Sequence, residues 1–177
     1  PYADSPMDDE QVGEEVYISM INKAERYCWF MTPYLIITDE MTHALCLAAK
    51  RGVDVRIITP GMPDKKLIYS ITRSFYHGLV KNGVRIYEWT PGFCHAKMSV
   101  ADDCMATCGT INLDYRSLYH HFENGCFMAD SQTVLDIRDD LGATMNECRE
   151  VTEKYRTGRS AYLRLGQLFM RLFAGLL

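Results

Sequence analysis

The chain has 177 residues, of which 47% are apolar and 24% charged, so it can form one domain with a sizeable core. The formal net charge of −4 argues against a broad basic surface, and no nucleic-acid partner is expected. No apolar run is long enough to cross a bilayer, and no signal peptide is visible. Because the sequence begins with Pro1 rather than Met, we expect it to be part of a longer protein.

Helices and strands alternate over the first half of the sequence. Residues 1–9 are polar and irregular. Apolar residues at helical spacing predict a first helix over about 10–26, and the aromatic-rich run after it predicts a buried strand that ends at Pro33. The elements that follow are a helix over 39–52, a strand over 53–60, a helix over 64–83 and a strand over 84–89.

The pattern changes after residue 89. Three short strands are predicted over 94–101, 104–110 and 122–129, separated by tight or irregular turns. Residues 131–157 then predict one long helix. Strands that alternate with helices favour parallel pairing, whereas the short consecutive strands do not. The predicted fold class is therefore α/β, a mixed β-sheet flanked by α-helices.

The last twenty residues predict an amphipathic helix over 158–177, which follows a domain formed by residues 1–157. Its apolar stripe consists of Leu165, Leu168, Phe169, Leu172, Phe173 and Leu176, and the opposite side carries Arg164, Gln167 and Arg171. A basic amphipathic helix of this kind suits the surface of an anionic membrane. The alternative is that the stripe packs on the domain or on another part of a longer protein.

The seven cysteines are an odd number, scattered along the chain without any CxxC pair. This usage is typical of reduced thiols in a cytoplasmic-type environment rather than of a disulfide framework. Cys104 and Cys108 have the spacing of half a zinc site, but no second pair of ligands completes it. We therefore expect no metal site.

A histidine and a lysine two residues apart, His95 and Lys97, form the most informative pattern in the sequence. If they lie on a strand, their side chains point the same way as that of Ser99. A lysine supplies a positive charge to a phosphate, and an imidazole can attack phosphorus or transfer a proton near neutral pH. This pair therefore indicates phosphoryl-group chemistry.

Further residues downstream could complete such a site. Asn112 could donate a hydrogen bond to a phosphate oxygen, and Thr110 stands at the same turn. Either Asp102 or Glu123 could bond the second ring nitrogen of the histidine and fix its tautomer. A lone His-x-Lys pattern usually lies on the surface and has no function. The additional residues at fixed spacing make it far less plausible that this pattern arose by chance.

The segments "HAKMSVADD", "GTINLDYRS" and "FE" together resemble the HKD motif of the phospholipase D superfamily with its downstream turn and acid. Longer segments, such as "MTPYLIITDEMTHALCLAAKRGVDVRIITPGMPDK", resemble the C-terminal catalytic half of bacterial cardiolipin synthases. The resemblance extends over about the whole chain. It implies an α/β sheet sandwich as the fold.

The resemblance also implies roles for individual residues. His95 corresponds to the motif histidine, and Lys97 to the phosphate-binding lysine. Thr110 and Asn112 correspond to the turn that lines the phosphate pocket. Glu123 corresponds to the acid that holds the histidine.

The remaining motif residue, Asp102, corresponds to an aspartate whose role in the family is more structural than catalytic. The implied reaction joins two phosphatidylglycerol molecules into cardiolipin and releases glycerol, through a phosphohistidine intermediate and without a metal or cofactor. Two facing motifs are needed, and this chain has one. We expect it to be a piece of a two-motif enzyme, with His95 transferring protons; the alternative is pairing of two copies.

Other interpretations remain at this stage. A hydrolase of the same fold, either a phospholipase D or a homodimeric nuclease, is the first rival, and an inactive scaffold is the second. Arg116 could bind a lipid phosphate, or it could form a buried pair with Asp114. The implied partners are anionic phospholipid, the membrane surface and a second HKD domain. The implied location is the bacterial cell membrane, with this piece itself soluble or peripheral.

Overall fold

A computed structural model describes residues 1–157 of the chain, so the predicted helix over 158–177 lies outside the described residues. The strands are β1 (Tyr2–Asp4), β2 (Tyr27–Met31), β3 (Leu35–Ile36), β4 (Asp54–Pro60), β5 (Arg85–Trp89), β6 (Met98–Ala101), β7 (Met105–Gly109), β8 (Leu113–Asp114), β9 (Glu123–Ala129) and β10 (Cys148–Glu150). The helices are α1 (Val12–Lys23), α2 (Asp39–Lys50), α3 (Lys66–Lys81), α4 (Tyr115–Tyr119), α5 (Gln132–Glu147) and α6 (Thr152–Thr157).

One mixed sheet organises the domain. Its eight strands lie in the order β1-β9-β7-β6-β2-β4-β5-β10. The strands β2, β4 and β5 pair in parallel, as expected for strands joined by helices, and the other pairs are antiparallel. The predicted α/β fold class, a mixed sheet flanked by helices, is confirmed.

Helices cover both faces of the sheet. Phe30 and Ile57 point to the first face, where they pack with residues of α1, α2, α3 and α6. Ile58 and Val100 point to the second face, which is covered by the apolar side of α5. Burial of each such side chain stabilises the fold by about 1.5–3 kcal/mol. The alternation of side chains along each strand therefore produces two separate cores.

The helix boundaries follow local signals in the sequence. Helix α2 begins after Thr38, whose hydroxyl accepts a hydrogen bond from the backbone N of Met41 at 3.0 Å. After the C-terminal end of this helix, Gly52 adopts a φ of +97°, which a residue with a side chain rarely adopts. The predicted end of this helix is confirmed.

The predicted long helix over 131–157 is wrong. The chain leaves the helix at Cys148, and residues 148–150 pair antiparallel with Trp89, Glu88 and Tyr87 of β5. Arg149 on this strand also donates to the buried carboxylate of Glu88 at 2.8 Å. Pairing with the open sheet edge therefore outweighs the helical preference of the segment, and it separates α5 from α6.

A second difference concerns the segment that carries the motif. The predicted strand over 94–101 begins only at Met98, so His95 and Lys97 lie in the irregular segment before β6. A small parallel pair, β3 with β8, was not predicted from the sequence. Within residues 1–157, none of the helices is long and apolar enough to cross a membrane.

Candidate active site

His95, Lys97, Thr110 and Glu123 lie where β6 begins, β7 ends and β9 begins. The backbone N of Gly109 donates to the carbonyl oxygen of Lys97 at 3.3 Å, which extends the pairing of β6 and β7. The backbone N of Thr110 donates to the carbonyl of Asn124 at 2.9 Å on the other side. Sheet pairing thus places Lys97, Thr110 and Glu123 on adjacent strand ends.

The side chains of His95 and Lys97 are in direct contact. The ammonium of Lys97 lies 2.9 Å from Nδ1 of the imidazole and donates to the carbonyl oxygen of His95 at 2.7 Å. The lysine is only 8% exposed, and burial lowers its pKa, although Glu123 and Asp114 act in the opposite direction. A desolvated ammonium of this kind would be stabilised electrostatically by the negative charge of an incoming phosphate.

Two aromatic rings border the exposed imidazole of His95. The ring of Tyr34 meets it edge-on, with centroids 6.4 Å apart and an angle of 79° between the planes. The ring of Phe93 lies tilted at 5.8 Å on centroids. These ring contacts limit the orientations of the imidazole and leave its nitrogens to the contact with Lys97.

Glu123 bonds to Thr110 rather than to His95. The Thr110 hydroxyl donates to Oε2 of Glu123 and accepts from the backbone N of Asn124 at 3.0 Å. The other carboxylate oxygen lies 3.7 Å from Nδ1 of His121. Among the described residues, Lys97 is the hydrogen-bonding partner of the His95 ring. The implied role of Glu123 as the acid that holds this histidine stays a prediction.

Asn112 presents an unsatisfied acceptor. One N–H of its Nδ2 donates to Oγ of Ser117 at 2.9 Å, which leaves the second N–H for a phosphate oxygen. Its Oδ1 is buried and has no hydrogen-bond partner within the described part of the chain. An orphaned acceptor in a partly buried position is costly unless a ligand or water satisfies it. A substrate hydroxyl could donate this missing hydrogen bond to Oδ1.

Asp114, which the sequence suggests only as a structural partner of Arg116, lies close enough to act on Lys97. It is 7% exposed and accepts a hydrogen bond from the backbone N of Ser117 at 2.8 Å. Burial raises its pKa, and the carboxylate acts electrostatically on Lys97. Within residues 1–157, Arg116 forms no ion pair with it or with any other carboxylate, so the predicted alternative of a buried Asp114–Arg116 pair is wrong.

Asp102 lies at the other end of β6, away from His95. Its carboxylate accepts hydrogen bonds from the backbone N atoms of Glu25, Arg26 and Tyr27 at 2.7, 2.9 and 2.8 Å. The residue itself adopts a positive φ of 54° at the turn between β6 and β7. The hypothesis that Asp102 could bond the ring of His95 is therefore wrong, and its position fits a structural role.

Metal ligands do not gather elsewhere in the described residues. In the range 1–157, no group of three or more His, Cys, Asp or Glu side chains has a geometry that could hold a metal ion. All seven cysteines in this range are free. Cys108 and Cys126 face each other across β7 and β9 and are both exposed.

Comparisons with known proteins identify related sequences. The chain is 50% identical over 177 residues to an uncharacterized protein of Streptococcus mutans, covering 100% of this chain and 38% of the relative. It is 32% identical over 167 residues to a cardiolipin synthase of Halalkalibacterium halodurans, covering 94% of this chain and 33% of the relative. The chain thus spans about a third of the length of these curated relatives.

A solved structure supports the fold. The phospholipase D family member Nuc from Salmonella typhimurium matches with a TM-score of 0.68 and 18% identity, over 77% of this chain and 89% of that one. At this level of identity the similarity establishes the fold alone. The family model described as the phospholipase D-like domain of cardiolipin synthase matches residues 17–145. The chain therefore belongs to the family of phospholipase D-like domains found in cardiolipin synthases.

Proposed function

We propose that this chain provides one HKD half of a phosphatidyltransferase that forms cardiolipin from two phosphatidylglycerol molecules. The observation that carries the proposal is the contact between Lys97 and His95 beside the Thr110–Glu123 pair. This arrangement puts a fixed cation and a titratable imidazole at one point. Relatives named cardiolipin synthase, at 32% identity and above, support the choice of phosphatidyl transfer over other reactions of the fold.

The proposed reaction has two transfers at phosphorus. In the first, an imidazole nitrogen attacks the phosphorus of one phosphatidylglycerol, the bond from phosphorus to the glycerol oxygen breaks, and a second imidazole protonates the leaving glycerol. In the second, that imidazole removes the proton of a hydroxyl on another phosphatidylglycerol, whose oxygen displaces the histidine from phosphorus. His95 takes the proton-transferring role, and Lys97 stabilises the charge on the phosphoryl oxygens.

The second histidine must come from a partner. We propose that it lies in another HKD domain of a longer chain, because this chain spans 38% and 33% of two relatives. The alternative is a second copy of the same chain. The other partners are anionic phospholipid and a membrane surface, the location is the bacterial cell membrane, and no nucleic acid is involved.

The test uses the longer protein that contains this sequence, reconstituted with phosphatidylglycerol vesicles. We expect cardiolipin and glycerol to appear in equal amounts. His95→Ala should reduce the rate by at least about 10²–10⁴-fold, the usual contribution of a general acid or base. His43→Ala is the matched control because that histidine is exposed on α2, outside the site.

Other products would contradict the proposal. Phosphatidic acid as the main product would mean that water is the acceptor, and therefore that the protein is a phospholipase D. Cleavage of DNA without turnover of lipid would mean a nuclease. Full cardiolipin synthesis by the His95→Ala variant would remove this histidine from the mechanism.

A further inference from the structure

An open cleft lies beside the candidate active site. It is lined by Tyr34, Ile36, Lys65, Ile68, Tyr115 and Arg116, with Asp114 as the acidic member of the wall. The ring of Tyr34 also borders His95, at 6.4 Å between ring centroids. One aromatic ring therefore separates the cleft from the imidazole.

The cleft carries two cations that nothing else in the described residues uses. Within residues 1–157, neither the ammonium of Lys65 nor the guanidinium of Arg116 makes a hydrogen bond or ion pair. Every other arginine in this range bonds to a carboxylate or to backbone carbonyls, as Arg51 does with the carbonyls of Ile21 and Ala24. An unpaired arginine in a concave surface is a typical anion-binding group.

The rest of the wall suits a glycerol group next to a phosphate. Ile36 and Ile68 offer apolar contact, and the buried carboxylate of Asp114 can accept a hydrogen bond from a hydroxyl. Tyr34 is held in place because its hydroxyl donates to Oδ2 of Asp64 at 2.5 Å. Polar groups at a few points in an otherwise apolar cleft are typical of a small-ligand site.

Two phosphodiesters must come together in the proposed reaction, and both are anionic. Two anionic groups held close together repel each other, and more strongly at the lower dielectric near a protein surface than in water. Lys97 is committed to the reacting phosphate in the proposed mechanism. The second phosphate consequently needs its own cations within reach of the imidazole.

We propose that the cleft bounded by Lys65 and Arg116 binds the phosphate of the acceptor lipid, a phosphodiester that carries a free glycerol hydroxyl. This inference rests on the proposed phosphatidyl transfer. Lys65 and Arg116 hold the phosphate, Asp114 accepts from the glycerol group, and the attacking hydroxyl is directed past Tyr34 to His95. Binding here decides whether the phosphatidyl group passes to a lipid or to water.

The experiment measures product partition in the longer protein. In Lys65→Gln/Arg116→Gln, the ratio of cardiolipin to phosphatidic acid should fall at least about tenfold, the effect of roughly 1.4 kcal/mol of lost acceptor binding. Glycerol release is followed at the same time because it reports the first transfer. Lys66→Gln is the matched control, since this neighbouring lysine is exposed and does not line the cleft. Its product ratio should equal that of the wild type.

Two results would overturn the inference. An unchanged product ratio in the double variant would mean that the cleft does not bind the acceptor. A lower rate of glycerol release at a constant ratio would mean that the two cations serve the donor instead. Thermal melts of the variants check for a folding defect. We expect none, because neither side chain has an internal partner in the described residues.

A binding measurement separates this inference from the proposed function. This chain is titrated with dihexanoyl phosphatidylglycerol below its micelle concentration, and the dissociation constant is measured by calorimetry. If the longer protein makes no cardiolipin, the proposed function fails. Binding that weakens at least about tenfold in the double variant, and not in Lys66→Gln, still supports the cleft as a phosphodiester site. Binding that is equal in all three proteins contradicts it.

Discussion

The ammonium of Lys97 lies 2.9 Å from Nδ1 of His95 and 2.7 Å from the carbonyl oxygen of the same residue. The lysine therefore folds back on the residue with which it would share a phosphate. Because both residues precede β6, this contact comes from the irregular segment and not from the alternation of a strand. A phosphate that enters the site would have to replace the imidazole as the partner of the ammonium.

The first prediction concerns the cost of burying Lys97. Lys97→Met should raise the free energy of unfolding by about 1 kcal/mol while it abolishes phosphatidyl transfer, because the substitution removes a buried charge without a carboxylate partner. Burial lowers the pKa of Lys97 below its ordinary 10.5. The folded state thus binds this proton less tightly than the unfolded state, and wild-type stability should rise relative to the variant as the pH increases toward 10.5.

Urea unfolding at neutral pH and in steps toward pH 10.5 provides the measurement for this first prediction. The stability gap between wild type and Lys97→Met should narrow over that interval. A variant that is less stable than the wild type at neutral pH would contradict the prediction.

The second prediction separates structure from chemistry in the motif. Asp102→Ala should lower the free energy of unfolding by about 2 kcal/mol, since three backbone donors lose a charged acceptor but two of them can bond to water. Activity per folded molecule should be unchanged because the carboxylate lies away from His95. Denaturant titration and turnover on the same samples test this, with exposed Asp9→Ala as control. Lost activity at full stability would indicate a chemical role.

The third prediction concerns the close approach of β7 and β9 below the site. A Cβ atom on Gly109 would lie 2.4 Å from the carbonyl oxygen of Asn124 and 2.7 Å from Cα of Gly125. The strands must separate to admit it, so Gly109→Ala should destabilise the protein by about 1–3 kcal/mol. It should also weaken the Thr110–Glu123 contact and lower activity.

The control for this third prediction is the same substitution in a helix. Around Gly142 of α5, nothing lies within 4 Å of the added Cβ. Gly142→Ala should therefore stabilise the protein by about 0.5–1 kcal/mol, since alanine favours the helical backbone. If thermal melts show similar shifts for both variants, steric contact at Gly109 is not the cause.

The fourth prediction concerns a buried carboxylate on β5, the strand next to the edge strand β10. Glu88 has no exposed surface and accepts from Arg73 at 2.6 Å and from Arg149 at 2.8 Å. Glu88→Ala should cost about 3 kcal/mol because it leaves Arg73 partly buried without this acceptor. Arg149→Ala should cost less than about 1 kcal/mol, since that side chain is 59% exposed. Equal losses in guanidinium unfolding would contradict this ranking.

Local sequence signals predicted the elements that depend on local chemistry. The sequence predicts helix α2 because Asp39 stands near its N-terminus and Gly52 can end it with a positive φ. Strand β10 was missed because Cys148–Glu150 has no strand pattern of its own, and its conformation depends on pairing with β5. Pairing partners distant in sequence cannot be inferred from local propensity.

In the candidate site too, the sequence predicts some features, and others depend on the three-dimensional arrangement. The motif predicted that Lys97, Thr110 and Glu123 would meet, and adjacent strand ends do bring them together. The orphaned acceptor of Asn112 was not predicted, since it depends on the rotamer that Ser117 selects. The unpaired state of Arg116 likewise needed the three-dimensional arrangement of α3 and α4.

Strand β10 has a consequence for how the domain unfolds. Helix α5 packs on the second face of the sheet and α6 on the first, so the chain crosses from one core to the other within three residues. These three residues form the direct connection between the helix on the second core and the helix on the first. If β10 detaches from β5, we expect α5 to leave the sheet while the first core stays folded, and hydrogen exchange would resolve two transitions in place of one.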